Sequence, residues 1–312
     1  MALFSSIWDD FRGAFRSGNM VTKLVLANVT VWVLVSTANI LLWLVMGGQD
    51  VSELFFSGLS HLCMPADPWR LLTHLWTPFT SIFLHQGLFH LLNNIVALYL
   101  FGAIVGDLVG DRRVLPIYLM GGLVGNLLYL VSANLLPNLG QYALGASGAV
   151  MAFAGAAIIL APEYRVALLL LGEVKVKYIV LVILLLDLLG IANQVNTGGH
   201  IAHLGGFAFG CWFVYRLRDG YDMALPVNRL LDRIGSWFTR GSRPAAKPSK
   251  VRTLQKVYQN PGGKPKPANV GEQMPSASFQ EKLDAILDKI KANGYESLTQ
   301  EEKDFLFQAS KK

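Results

Sequence analysis

The stretch Leu144-Gly145-Ala146-Ser147-Gly148-Ala149 begins an apolar segment that continues to about residue 160, close to the length of a short membrane span. A serine at the start of a buried helix lies beside backbone N–H groups that have no partner within the helix, and the helix dipole favours negative charge there. This is a suitable setting for a nucleophile whose attack creates an oxyanion. The string alone is weak evidence, because small residues also serve helix packing in membranes.

The composition of the chain indicates a membrane protein. Of its 312 residues, 53% are hydrophobic and 15% are charged, and the mean hydropathy is +0.40, whereas a soluble domain is about one quarter charged. Cys63 and Cys211 are too few for a disulfide framework and show no metal-ligand spacing. The net charge of +6 does not indicate nucleic acid as a partner, because the basic residues lie between apolar segments and in the tail.

Six apolar segments predict an all-α polytopic membrane protein with a cytoplasmic helical tail. The first, at residues 24–46, is long enough to cross the bilayer and lacks a signal-peptide cleavage pattern, so we expect it to be retained. The long connection at 47–86 mixes tryptophans with carboxylates and is predicted to lie in the membrane interface. The remaining spans are predicted at residues 87–105, 114–135, 144–160, 178–192 and 199–215.

The distribution of Lys and Arg predicts the orientation of these spans. Loops 106–113 and 162–177 carry basic residues, whereas loops 136–143 and 190–199 carry none. By the positive-inside rule both termini are cytoplasmic, and we expect a plasma (inner) membrane of bacterial type. Spans two, four and six then run from outside to inside, so that their N-terminal ends share the outer half of the membrane.

Four regions are expected along the chain. Residues 1–22 form a cytoplasmic segment and residues 23–217 the six-helix membrane domain, followed at 218–275 by a basic amphipathic helix and a Pro/Gly/Lys-rich linker. That helix is predicted to rest on anionic lipid of the inner leaflet. Its apolar residues recur at helical spacing beside arginines: Val227, Leu230, Leu231, Ile234, Trp237 and Phe238.

Residues 276–312 are predicted to form a C-terminal pair of helices. Ser278 with Glu281, and Thr299 with Glu302, have the spacing of capping boxes at two helix starts. The segment is too short to build much of a core of its own. We therefore expect it to dock on an unknown partner.

Polar side chains within the spans mark the candidate site, because such residues are costly in a membrane. His90 and Asn94 are four residues apart on one face of span two. His203 shares a face of span six with two glycines, and packing against the small residues of span four would bring it within reach of Ser147. Taken singly, each histidine or asparagine is equally well explained as interhelical hydrogen bonding.

The ordered set of motifs resembles the rhomboid family of intramembrane serine proteases over residues 60–215. The matching pieces are Trp69-Arg70, the pattern H-x4-H-x3-N formed by His85, His90 and Asn94, the string Gly145-Ala146-Ser147-Gly148, and A-H-x-x-G-x-x-x-G from Ala202 to Gly210.

The resemblance implies a rhomboid-like bundle of six transmembrane helices in which Ser147 is the nucleophile and His203 the general base. His90, Asn94 and the backbone N–H of Ser147 would stabilise the oxyanion. His203 is preferred to His200 because only His203 has glycines three and seven residues later, and His200 is expected at the helix entry. The resemblance implies neither a metal nor an organic cofactor.

Three positions need separate comment, because two depart from the family pattern and one could add a third member to the dyad. Gly106 stands where the family often has a glutamate, which affects how the inner end of span two is held. Met151 stands where some members have an aromatic ring against the histidine. Asp187 would be able to orient His203 as a third member, but the resemblance implies a dyad, so a structural or water-contacting role is favoured.

The function expected from these residues is cleavage of transmembrane segments of other membrane proteins near the outer leaflet. The partners are then transmembrane protein substrates and the lipid bilayer. The alternative is a non-catalytic rhomboid-like protein that binds and escorts membrane clients. Such a protein would keep the fold but be free to lose Ser147 or His203, and both are present.

Overall fold

The computed structural model of the 312-residue chain describes residues 12–15, 17–137, 139–168, 172–239, 285–286, 288–290 and 297–309. The chain divides into two compact units, residues 1–243 and 244–312.

The first unit is built from helices. In chain order they are α1 (Met20–Val45), α2 (Ser52–Leu59), α3 (Pro68–Thr73), α4 (Thr77–Thr80), α5 (Leu88–Val109), α6 (Val114–Leu135), α7 (Ser147–Leu160), α8 (Val176–Ala192), α9 (Thr197–Arg218) and α10 (Ala224–Thr239), with short 3-10 turns at Ser81–Phe83 and Asp111–Arg113.

All six predicted apolar helices are present, as α1, α5, α6, α7, α8 and α9. Among the described residues, three helical stretches are both long and apolar enough to cross a membrane, namely Met20–Val45, Leu88–Val109 and Asp111–Leu135. The helices α7 and α8 have only 14 and 17 residues, and two histidines and five glycines lower the hydropathy of α9. The count of six spans therefore stays a prediction.

The outward faces of the long helices are suited to lipid. Large apolar side chains are exposed on α1, including Leu34 and Val45, and on α8, including Leu181 and Leu186. A soluble protein seldom leaves so many apolar side chains together on its surface. The fold is thus mainly helical and carries an apolar exterior.

Two short antiparallel sheets were not expected from the all-α prediction. Strand β1 (Met64–Pro65) pairs with β2 (Tyr142–Ala143), which ties the long connection to the segment just before Ser147. Strands β3 (Arg165–Leu168) and β4 (Gly172–Lys175) form a hairpin in the loop between α7 and α8. Strands of two to four residues are too short to show an alternating pattern in the sequence. They are stabilised by pairing with a partner strand and not by local preference.

Helix α7 lies in the centre of the unit and packs closely on α9. A Cβ atom added at Gly206 would collide with the backbone carbonyl of Gly148, and one at Gly210 with the carbonyl of Ala152. From the other side, a Cβ at Gly155 would meet the backbone of α9. The predicted contact between the small faces of these two helices is confirmed, and glycine is required because the two backbones touch.

Arg113 holds the C-terminal end of α5, one turn after Gly106, the position that departs from the family pattern. Its guanidinium donates to the carbonyl of Val109, the last residue of α5, and pairs with Asp222 at 2.8 Å. Asn228 of α10 also donates to the Arg112 carbonyl at 3.0 Å. The turn between α5 and α6 is therefore held by contacts from the chain that follows α9.

The second unit contains α11 (Gln300–Ala309). The backbone N–H of Thr299 donates to Glu302 Oε2 at 2.8 Å, and the N–H of Glu302 donates to Thr299 Oγ1 at 3.4 Å. The second predicted capping box is thus confirmed. The Ser278–Glu281 box, the linker and the side chains of Trp237 and Phe238 lie outside the described residues.

Candidate active site

Four predicted site residues line one cavity of about 840 Å³. His90 and Asn94 come from the first two turns of α5, Ser147 is the first residue of α7, and His203 lies in the second turn of α9. The N-terminal ends of these three helices therefore meet, as the co-oriented spans predicted. Asp187 of α8 lines the same cavity.

The turn before Ser147 is shaped by Gly145. This residue has a φ of +133° and donates its backbone N–H to the carbonyl of Ser81 at 2.9 Å. A Cβ at this position would lie 3.0 Å from the His90 ring and 3.6 Å from Ser147 Oγ. Glycine is needed here both for its backbone conformation and for the space that brings His90 beside the serine.

Asn94 is buried, and its amide is held in place by its own helix. The Nδ2 group donates to the carbonyl of His90 at 2.8 Å, and the residue is only 6% exposed. An amide NH2 has two hydrogens, so one remains to be donated to a ligand. This arrangement suits a hydrogen-bond donor that must be ready before charge develops.

Asp187 fixes the imidazole of His203. His203 Nδ1 lies 2.6 Å from Asp187 Oδ1, and an ionised carboxylate can only accept a hydrogen bond. The proton of the neutral ring therefore sits on Nδ1, and Nε2 keeps the lone pair that a general base requires. The structure thus places Asp187 in the orienting position that the sequence analysis ranked below a structural or water-contacting role.

His200 makes a second contact to the same carboxylate oxygen. Its Nδ1 lies 2.7 Å from Asp187 Oδ1, and its ring meets that of His203 edge-to-face at 5.6 Å. A Cβ at Gly190 would collide with the His200 ring, so this glycine leaves the room that the ring occupies. His200 lies in the first turn of α9, as expected, but its contact with Asp187 is not among the predictions from the sequence. The signal was its spacing of three residues from His203.

Ser147 and His203 are not directly bonded in this conformation. Among the hydrogen bonds of residues 139–168 and 172–239, none joins Ser147 Oγ to the His203 ring. Hydrogen bonds in unliganded active sites are often long and shorten only when substrate is bound. The shared cavity is therefore the observation that relates the two side chains.

The ring of His85 packs against the ring of His90. Its ring lies 5.1 Å from the His90 ring in an edge-to-face arrangement, and the residue is 4% exposed. Burial, together with the neighbouring His90, lowers the pKa of His85 to about 4. The ring is therefore neutral near pH 7 and adds no charge to the site.

The Trp69-Arg70 pair acts at the rim of the site through its arginine. The Arg70 guanidinium stacks 5.0 Å above the ring of Tyr142 and donates to Ser60 Oγ at 3.0 Å. Tyr142 lines the cavity, and so does the buried Met151. Trp69 itself is 79% exposed and does not line it.

Two parts of the chain match known family models. Residues 72–220 match the model described as the Rhomboid domain. Residues 276–312 match a family of unknown function, DUF6576.

The chain is also similar to curated proteins from animals and plants. It is 28% identical over 209 residues to the human presenilin-associated rhomboid-like protein, mitochondrial, covering 66% of this chain and 50% of that protein. It is 29% identical over 228 residues to RHOMBOID-like protein 12, mitochondrial, of Arabidopsis thaliana, covering 68% of this chain and 62% of that protein. The chain thus spans between half and two thirds of the length of these relatives.

Proposed function

This chain belongs to the rhomboid family through its domain at residues 72–220, and from that premise we propose that it is an intramembrane serine endopeptidase. The observation that carries the proposal is the single cavity lined by Ser147, His203, His90 and Asn94. A nucleophile, a base and two candidate oxyanion donors are the groups that acyl transfer needs.

Ser147 attacks the carbonyl carbon of the scissile peptide bond while Nε2 of His203 accepts the hydroxyl proton. The same imidazole then returns that proton to the leaving amine. Asp187 holds the other ring nitrogen and favours the imidazolium that forms between these steps. A water molecule, activated by His203, hydrolyses the acyl-enzyme and releases the second product.

The negative charge of the tetrahedral intermediate is stabilised beside the start of α7. The amide of Asn94, the ring of His90 and the backbone N–H of Ser147 are the proposed donors. The positive end of the α7 dipole adds to their effect. Donors that are held in place before the reaction lose no free energy to reorganisation when the charge appears.

The proposed substrates are transmembrane segments of other proteins. A helical segment keeps its peptide bonds within its own hydrogen bonds, so cleavage requires local unwinding. Residues of low helix propensity near the cut site lower the free energy of that unwinding. We therefore expect substrates with small or helix-weakening residues at the cleavage site.

The proposed orientation puts the active site on the side opposite the basic loops. The named relatives are mitochondrial proteins, whereas the sequence analysis predicts a plasma membrane of bacterial type. The distribution of Lys and Arg predicts only which loops share a side of the membrane, and loops 106–113 and 162–177 are expected on the same side. Cleavage is then expected in the half of the membrane away from those loops.

Mutagenesis of the proposed dyad tests this function. Purified protein should cleave a model transmembrane substrate in detergent, and Ser147→Ala or His203→Ala should abolish cleavage without unfolding the protein. A fluorophosphonate probe should label the wild type and not Ser147→Ala. Full cleavage by either variant would overturn the assignment.

The same assay separates the protease from a non-catalytic client-binding protein. A binding protein would retain substrate in pull-down experiments but show neither cleavage nor probe labelling. The presence of both Ser147 and His203 in one cavity supports the protease.

A further inference from the structure

We propose that Asp187, His200 and His203 bind a zinc ion that reversibly inhibits the enzyme. These three residues are called the histidine–aspartate cluster below. The inhibitory consequence rests on the proposed function, whereas the binding of zinc does not.

The cluster has the donor atoms and spacing of a zinc site. The ligating atoms of its three side chains all lie within 4.8 Å of one another. Zinc binds imidazole nitrogen and carboxylate oxygen at about 2.0–2.2 Å, so ligand atoms around one tetrahedral ion are roughly 3.4 Å apart. The Nδ1 atoms of both histidines now lie 2.6 and 2.7 Å from Asp187 Oδ1. An increase of less than about 1 Å in these separations therefore admits the ion.

One carboxylate oxygen of the cluster has no hydrogen-bond partner. Asp187 is 3% exposed, and its Oδ2 atom is buried and unpaired among the described residues. Burying a carboxylate oxygen without a partner costs free energy, and the cost is largest for an ionised group. With Oδ1 bound to zinc, the positive charge of the ion would lower the free-energy cost of burying the unpaired Oδ2.

The donor set selects the type of metal. Two imidazoles and one carboxylate favour zinc over magnesium or calcium, which prefer oxygen ligands. Three protein ligands leave the fourth position of zinc for water. Asp187 and His203 line the 840 Å³ cavity that also holds Ser147, so the ion can reach the cluster through this cavity.

Zinc at this position disables the general base. In the free enzyme Nδ1 of His203 carries the proton and Nε2 is unprotonated. Binding zinc to Nδ1 moves that proton to Nε2, because a neutral imidazole holds only one. Nε2 can then no longer accept the proton of Ser147. The charge and proton count of the ring are unchanged, so a chelator that removes the ion restores the active tautomer.

Direct binding is measured first, in a background that cannot cleave. Ser147→Ala protein in detergent is titrated with zinc against a colorimetric zinc indicator, and we expect one ion per chain. Adding His200→Gln, or separately Asp187→Asn, should weaken binding by at least about tenfold, because each removes a ligand. The second variant decides the question if the first does not fold.

A matched control accounts for another pair of histidines. His61 Nδ1 lies 2.9 Å from His74 Nε2 in the connection between α1 and α5, so this pair also offers two imidazole nitrogens to a metal ion. The variant His74→Gln removes that pair and should leave binding to the cluster unchanged. The proposal would be overturned if the Ser147→Ala protein bound zinc equally well with and without the added His200→Gln or Asp187→Asn substitution.

Inhibition is measured second, with Ser147 intact. Zinc should stop cleavage of the model substrate, a chelator should restore it, and magnesium should have no effect. The zinc concentration for half-inhibition, taken relative to each variant's own zinc-free rate, should rise at least about tenfold in His200→Gln and stay unchanged in His74→Gln. Zinc binding without inhibition would overturn the regulatory claim, whereas absence of any cleavage without zinc would contradict the proposed function alone.

Discussion

Asp187 determines which nitrogen of His203 carries the proton. The two residues are 16 positions apart in the sequence and lie on different helices. The 2.6 Å hydrogen bond leaves Nε2 free to accept the proton of Ser147. In the proposed mechanism Asp187 is therefore a positioning residue, since it would act on the substrate only through His203.

Asp187→Asn tests whether the hydrogen bond between Asp187 Oδ1 and His203 Nδ1 is needed for catalysis. The amide keeps a similar shape but loses the charge, so kcat should fall at least about tenfold while KM changes little. Steady-state kinetics on a model substrate provide the measurement. Asp107→Asn, at an exposed carboxylate on α5, is the control and should keep the wild-type kcat. A rise in KM alone would contradict a positioning role.

Asn94→Ala should test the oxyanion site. Removing one donor typically lowers turnover on the order of a hundredfold, because the donor acts on charge that develops only in the transition state. Substrate binding should be little affected. The control Asn39→Ala removes an exposed amide of α1 that does not line the cavity, and it should keep the wild-type turnover. An effect of Asn94→Ala confined to binding would instead indicate contact with the substrate.

At the scale of elements, the contact between α7 and α9 sets the position of His203. The glycines of α9 let its backbone touch α7 directly, so the depth of His203 beside Ser147 depends on two backbones rather than on adjustable side chains. The hydrogen bonds from α9 to Asp187 then link α8 to the same pair. The proposed active site is thus assembled from four helices, because α5, α7, α8 and α9 all contribute residues to one cavity.

Gly206→Ala should disturb this contact. The added methyl group would overlap the carbonyl of Gly148, and overpacking of a tight core typically costs about 1–3 kcal/mol. The midpoint of thermal unfolding in detergent should fall, and cleavage should fall with it. Gly58→Ala in α2 is the control, because a Cβ there meets nothing within 4 Å and should leave the midpoint unchanged or slightly raised. Equal midpoints for the two variants would contradict direct backbone contact.

At the scale of the whole molecule, the orientation in the membrane is open to direct measurement. In a background with Cys63→Ala and Cys211→Ala, an Asn193→Cys variant should react with an impermeant thiol reagent added to intact cells. A Glu173→Cys variant should react only after the cells are opened. Both positions are exposed, so accessibility to the reagent reports the side of the membrane. The opposite pattern would place the active site on the side of the basic loops.

The C-terminal unit should be dispensable for the chemistry. Deleting residues 268–312 removes α11 and the stretch that matches the DUF6576 family, whereas the described residues that line the cavity all lie between Gln86 and His203. Cleavage of a model substrate in detergent should therefore remain nearly at the wild-type rate. Any loss should appear in cells, through a missing partner or lower abundance. A folded but inactive truncated enzyme would show that the tail belongs to the catalytic unit.

Local sequence patterns were sufficient to predict the six apolar helices, the capping box at Thr299 and the candidate residues Ser147, His203, His90 and Asn94. These features depend on local rules: helix hydrogen bonds join residues four apart, and residues four apart share a face. The faces of α7 and α9 that carry small residues could also be predicted, because spacing along a helix shows which residues share one face.

The long-range partners of those residues, in contrast, could not be predicted and follow from the folded structure. The pairing of β1 with β2, the link from Arg113 to Asp222 and the contact of Asp187 with both His200 and His203 join segments that are distant in sequence or lie on different helices. Each depends on the angle, depth and rotation at which two elements pack, and small differences in packing change the partner. Helical spacing constrains none of these quantities, so the shared carboxylate of the two histidines emerged only from the folded chain.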